Sequence, residues 1–128
     1  MGSETTVLIT HEVLESILQH AKHVHPKEMI LLLRGKTSKN QIKITDLIIP
    51  PFFTHGRGFS GFQPHMLPMD FSLIGLVHSH PSGILLPSTE DLNRMYGRIM
   101  MIVGFPYNGI ENIAVYNRQG QMLKLQVI

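Results

Sequence analysis

The stretch GLVHSHPSGILLPSTEDL, residues 75–92, places His78 and His80 one residue apart at the end of an apolar run. On a strand, alternate side chains share a face, which sets these imidazoles ~7 Å apart along the chain and pointing the same way. Two such rings can lean onto one ion with Zn–N bonds of ~2.0–2.1 Å. A single histidine flanked by apolar residues is ordinarily a satisfied core residue, but a pair on one face needs two partners. Ser88-x-x-Asp91 follows after a short loop. By itself it reads as a helix cap, with Ser88 the N-cap residue and Asp91 completing a capping-box-like pattern. The two readings are compatible, because an aspartate in that first turn can also serve as a third ligand. Two histidines and one aspartate leave a coordination position for water, as catalytic zinc sites do. The expected centre is therefore catalytic.

Other chemistry-bearing stretches fail on spacing. RGKT at 34–37 suggests a phosphate loop, but the glycine that motif requires falls on Ile30, inside a strand pattern. HEVLE at 11–15 is no H-E-x-x-H, since Glu15 occupies the second histidine position. His20 and His23 stand three apart on a predicted helix and can share an ion. A helix C-terminus favours partly cationic histidines in any case, and no acid accompanies them.

The elements that must position the histidines follow from periodicity. From Thr10, a stripe of Val13, Leu14, Ile17, Leu18 and Ala21 predicts a helix capped by Thr10 and stopped by Pro26. EMILLLRG (28–35) is a continuous apolar run and predicts a strand buried on both faces. After the polar turn KTSKN, QIKITDLII (41–49) alternates as its hairpin partner. Residues 50–68 are rich in Pro, Gly and Phe and have no period, so a long loop or irregular edge is expected. LIGLVHSH (73–80) is the next strand, and Leu92, Met95 and Tyr96 mark a short helix ending at Gly97. IMMIVGF, NIAVYN and MLKLQVI predict three closing strands, the last two joined at RQG. With no repeat and no linker, the expectation is one α/β domain over residues 1–128, a mixed, mostly antiparallel sheet with helices packed on it. Residues 1–5 are expected to be disordered or appended.

Composition narrows the function classes. The 128 residues are 43% hydrophobic and 16% charged, which suits a single core. The net charge is +2, and the basic residues are scattered (Lys22, Lys43, Arg57, Arg98, Lys124) apart from a loose group at Arg34, Lys36 and Lys39. That pattern is expected of a solvated hairpin tip and not of a nucleic-acid surface. There is no cysteine, which excludes disulfides and thiolate ligands and leaves His, Asp and Glu to hold a metal. A cytoplasmic location is the expectation. Residues 71–89 carry no charged side chain, yet their histidines, prolines and glycines fit a buried strand and loop better than a membrane span.

The motif as a whole, H-x-H-P then S-x-x-D at His78, His80, Pro81, Ser88 and Asp91, resembles that of the JAMM zinc metalloproteases, in their minimal prokaryotic or archaeal form. His25, Pro26 and Glu28, an HP-x-E entering an apolar strand, match the family's remaining element. The resemblance implies a cytidine-deaminase-like fold and amide hydrolysis with one zinc per chain. By it, His78, His80 and Asp91 hold the metal, Glu28 is the general acid/base, and Ser88 stabilises the oxyanion. It further implies peptidase or isopeptidase cleavage after the C-terminal Gly-Gly of a ubiquitin-like or sulfur-carrier protein, with neither nucleic acid nor membrane as partner. A Gly-Gly tail offers no side chains to grip, so main-chain pairing with an edge is expected, at 57–64 around Phe59, Gly61 and Phe62. Two alternatives remain at this level. One is a scaffold of the same fold without catalysis, for which an open zinc position has no use. The other is a zinc hydrolase of small amides such as a deaminase, which the absence of cysteine ligands and of H-x-E disfavours.

Overall fold

A computed structural model describes residues 5–50 and 72–128. Its elements run β1 (Thr6–Ile9), α1 (His11–Val24), β2 (Ile30–Thr37), β3 (Gln41–Ile48), β4 (Leu73–His80), α2 (Thr89–Asn93), β5 (Ile99–Gly104), a 3-10 turn (Ile110–Asn112), β6 (Ile113–Asn117) and β7 (Met122–Val127). Among the described residues no helix is long and apolar enough to cross a membrane.

Helix α1 forms where its apolar stripe predicts. Thr10 accepts the Val13 N–H at 3.2 Å, and Val13, Leu14, Ile17, Leu18 and Ala21 are all buried. They meet Val7, Ile9, Leu31, Leu33, Ile44 and Val77 in the larger core. Strand β2 is buried from Ile30 to Leu33, as an uninterrupted apolar run requires. Its even-numbered residues, Ile30 and Leu32, face the other way, into a second core with Leu76, Met95 and Met100.

The sheet differs from the expected form in closing on itself. The order is β1-β3-β2-β4-β5-β6-β7, with β1 pairing in parallel with both β3 and β7 to complete a barrel. The four residues of β1 are too few for periodicity to register, so they went unpredicted in the sequence. They close the barrel because Val7 and Ile9 bury their side chains completely. The expected mixed character holds: β2 runs antiparallel to β3 and β4, β4 and β5 are parallel, and β5, β6 and β7 are antiparallel in turn.

Helix α2 is shorter than the stretch to Gly97 predicts. It ends at Asn93, although Met95, Leu92 and Tyr96 still pack in the second core. Gly97 then turns the chain at φ +77°, where a Cβ would stand 2.6 Å from the Ile74 carbonyl. Only glycine fits that close a return into β5.

Candidate metal centre

Strand β4 carries the histidines on the face of Leu76, toward α2. Its pairing with β2 sets Ile30 level with His78, and its parallel pairing with β5 sets His80 beside Gly104. The rings lie 4.8 Å apart between centroids, tilted by 54°. Helix α2 brings Asp91 to them. His80 Nε2 is 3.3 Å from Asp91 Oδ2, and His78 Nδ1 is 3.7 Å from Oδ1. Ligands of a tetrahedral ion with bonds of ~2.1 Å lie roughly 3.4 Å from one another. The three donor atoms, all within 4.8 Å of each other, match that spacing with little adjustment. Among the described residues this is the group of histidines and acids gathered closely enough to hold an ion, and it fits one zinc.

Two of the ligands, His80 and Asp91, are fixed by a second contact. His80 Nδ1 donates to the Ile84 carbonyl at 2.8 Å, which holds the ring's orientation and turns Nε2 toward Asp91 as the atom a metal would take. The loop behind it is pinned in turn. Tyr116 donates its hydroxyl to the Leu85 carbonyl at 2.8 Å, and Leu85 packs on Ile102, Ala114 and Tyr116. Gly104 permits this approach, because a Cβ there would stand 2.8 Å from Leu85 and 2.9 Å from the Gly83 carbonyl. Asp91 accepts the Ser88 N–H at 2.8 Å and gives its own N–H to Ser88 Oγ at 3.0 Å. The capping box expected from the sequence is thus real, and it is also what aims the carboxylate.

Electrostatics prepare the group for a cation. Burial pushes His78 down to about 4, against the pull of Asp91 and with the repulsion of His80, so its ring is a neutral donor near pH 7. Burial alone would raise Asp91. Hydrogen bonds from His80 and the Ser88 backbone, with the charge of His78, carry it instead down to about 2. His80 is raised, first by its hydrogen bond to Asp91, with burial opposing. A cation would replace the proton that this pairing attracts.

A cleft of about 720 Å³ opens over the group, lined by Glu28, His80, Ser88, Glu90 and Asp91, with Ile84 and Leu86 on its rim. Glu28 precedes β2, but continuing the β2–β4 register from Ile30↔His78 puts it level with His80 on the same face. The expected general acid/base therefore shares one cavity with two of the expected ligands, His80 and Asp91. Ser88 also lines it, with its hydroxyl engaged in the cap. His20 and His23 remain on the last turns of α1 and belong to no such group among the described residues, and His25 is occupied by Tyr107 Oη at 2.8 Å. Phe59, Gly61 and Phe62 lie outside the described residues. The sequence pattern did not point to Ile84 or Leu85, whose roles come from backbone carbonyls that any residue supplies.

Residues 10–116 match the family described as prokaryotic homologues of the JAB domain. A curated relative, described as a probable metalloprotease from Haloferax volcanii, is 30% identical, covering 98% of this chain and 82% of its own. A JAB1/MPN-domain protein from Archaeoglobus fulgidus aligns with a TM-score of 0.67 at 36% identity over 94% of this chain and 97% of that one. A structure described as a JAMM metalloprotease-like zinc site in the proteasome and signalosome aligns with a TM-score of 0.67 at 35% identity, over 97% and 99% of the two chains. A Desulfitobacterium hafniense protein, at 17% identity and a TM-score of 0.68 over 95% and 92%, shares the fold.

Proposed function

The chain belongs to the family of prokaryotic JAB-domain homologues, and from that premise we propose that it is a zinc-dependent peptidase or isopeptidase that cleaves after the C-terminal Gly-Gly of a ubiquitin-like or sulfur-carrier protein. The observation that carries this reading is the shared cleft, in which Glu28 faces the space above the His78–His80–Asp91 group. A scaffold has no use for an exposed acid beside a set of metal ligands.

Zinc held by these ligands supplies a Lewis acid and can lower the pKa of a water from ~15.7 to ~7. The chain's own residues carry the remaining work. Glu28 accepts a proton as water adds to the amide carbon, and returns it to the amine nitrogen as the C–N bond breaks. Ser88 donates its hydroxyl hydrogen to the carbonyl oxygen as charge develops there. His80 and Asp91 are held in orientation by hydrogen bonds to the Ile84 carbonyl and the Ser88 N–H. The cleft rim carries exposed Ile84 and Leu86, apolar side chains that suit an extended tail whose last residues are glycines.

The test uses zinc-loaded protein and a fusion in which a ubiquitin-like protein is joined through Gly-Gly to a reporter. Mass spectrometry should find a product ending in Gly-Gly, and chelation should abolish it. Cleavage at another amide, with the Gly-Gly bond intact, would overturn the substrate and leave a hydrolase.

A further inference from the structure

Glu28 stands on the turn between α1, which ends at Val24, and β2, which begins at Ile30. It is outside the hydrogen-bonded ladders of both, yet a group that moves protons must be held to within ~0.5 Å of its working position. The backbone just after it is clamped. The Met29 N–H donates to Ser79 Oγ at 2.7 Å, and the Ser79 N–H donates to the Met29 carbonyl at 3.0 Å. The residue before this turn is held as well, since His25 Nδ1 shares a 2.8 Å hydrogen bond with Tyr107 Oη.

These two anchors are neighbours in the core. Burial pushes the Tyr107 hydroxyl up, and Ser79 beside it pulls the other way; both residues are fully or almost fully buried. The His25 ring is braced from outside by Phe105, stacked at 4.7 Å. Tyr107 holds a left-handed backbone, φ +60°, which is unfavourable for a bulky residue and persists only where the surroundings impose it. Ser79 lies between the two histidine ligands in sequence but points to the opposite face of β4, into the core with Met29 and Tyr107.

We propose that His25, Tyr107 and Ser79 form a positioning relay behind the metal group, gripping the chain on both sides of Glu28 and fixing where its carboxylate stands over the cleft. None of the three touches substrate; they are positioning residues. The inference rests on the reading of Glu28 as the acid/base. It also gives His25, matched in the sequence motif without a task, a physical role.

The experiment is a double-mutant cycle on the zinc-loaded full chain, with the Gly-Gly-linked fusion as substrate. Tyr107→Phe removes one hydroxyl and Ser79→Ala the other. Each should lower kcat about tenfold, in the range of coupled neighbours, with KM little changed and one zinc retained. Combined with Glu28→Gln, neither should cost anything more. Hydrogen exchange at the Met29 amide should quicken in Ser79→Ala. If the losses multiply in the Glu28→Gln background, or if zinc is lost along with turnover, the relay is overturned and the residues serve only the fold or the ligands. If Glu28→Gln alone cleaves at the parental rate, the proposed role of Glu28 falls, and the relay's purpose falls with it.

Discussion

Ser88 and Asp91 hold each other through two hydrogen bonds, the Ser88 N–H to Asp91 Oδ2 at 2.8 Å and the Asp91 N–H to Ser88 Oγ at 3.0 Å. One arrangement therefore starts a helix and aims a metal ligand. The same Oδ2 stands 3.3 Å from His80 Nε2, so the cap determines where the third donor meets the second. A helix of five residues has little stability of its own; its entry is fixed by this pair and its packing by Leu92 and Met95.

Ser88→Ala should consequently show two separable effects. Loss of an N-cap costs about 0.5–2 kcal/mol, which a denaturant titration of the metal-free protein reads directly. Turnover of the zinc-loaded protein should fall by ~10² if the hydroxyl also serves the developing oxyanion. A full stability loss with unchanged kcat would confine Ser88 to the cap.

Zinc stoichiometry tests the ligand set. The parent should carry one zinc per chain, and His80→Ala should lose it, because Nε2 of that residue is the donor nearest Asp91. His23→Ala, at an exposed position on α1, should keep it. Metal analysis of the two purified variants decides the matter, and retention in His80→Ala would remove the assignment.

Glu28→Gln should leave zinc content and melting temperature near those of the parent, since the side chain is exposed and nearly the same size. Its turnover should drop by ~10²–10⁴, the usual contribution of a positioned acid/base. Near-parental rates would shift attention to Glu90, the other carboxylate on the cleft.

The metal-free protein should lose stability as pH falls from about 6.5 to about 4. His78 is depressed to about 4 when folded, so over this window the unfolded chain binds a proton that the folded chain refuses, and stability rises with pH. A shift of that size is worth on the order of 3 kcal/mol at its limit. His80, whose folded pKa is raised, opposes this trend weakly near 6.5, where the unfolded ring is already losing its proton and the folded ring keeps it, and adds no slope well below that. Asp91, held at about 2, is ionised in both states above its unfolded value. His20, also lowered by burial and by His23, contributes in the same direction. Denaturant midpoints in chelator at pH 4.5, 5.5 and 6.5 should therefore rise in that order. A flat profile would mean that His78 protonates freely when folded.

The amino-acid sequence by itself determined the local features. The spacing of His78 and His80 within a strand pattern placed both on one face, because side-chain alternation has period two. The apolar stripe and Thr10 settled α1, and Ser88 with Asp91 settled the start of α2. Absence of cysteine restricted any metal to nitrogen and oxygen donors. Glu28 was matched through its motif, whereas periodicity could not separate it from Glu12, Glu15 or Glu90. Tertiary structure narrowed that choice to the two glutamates on the cleft, Glu28 and Glu90, and the antiparallel register of β2 and β4 carries Glu28 level with His80. It alone decided the closed barrel, which depends on a four-residue strand pairing with partners more than thirty positions distant on one side and over one hundred on the other. It also decided the grip on His80 and on the Glu28 turn, through the Ile84 carbonyl and the Ser79 and Tyr107 hydroxyls. Those contacts join residues far apart in the chain or use backbone atoms common to every residue. A pattern in one dimension holds no trace of either.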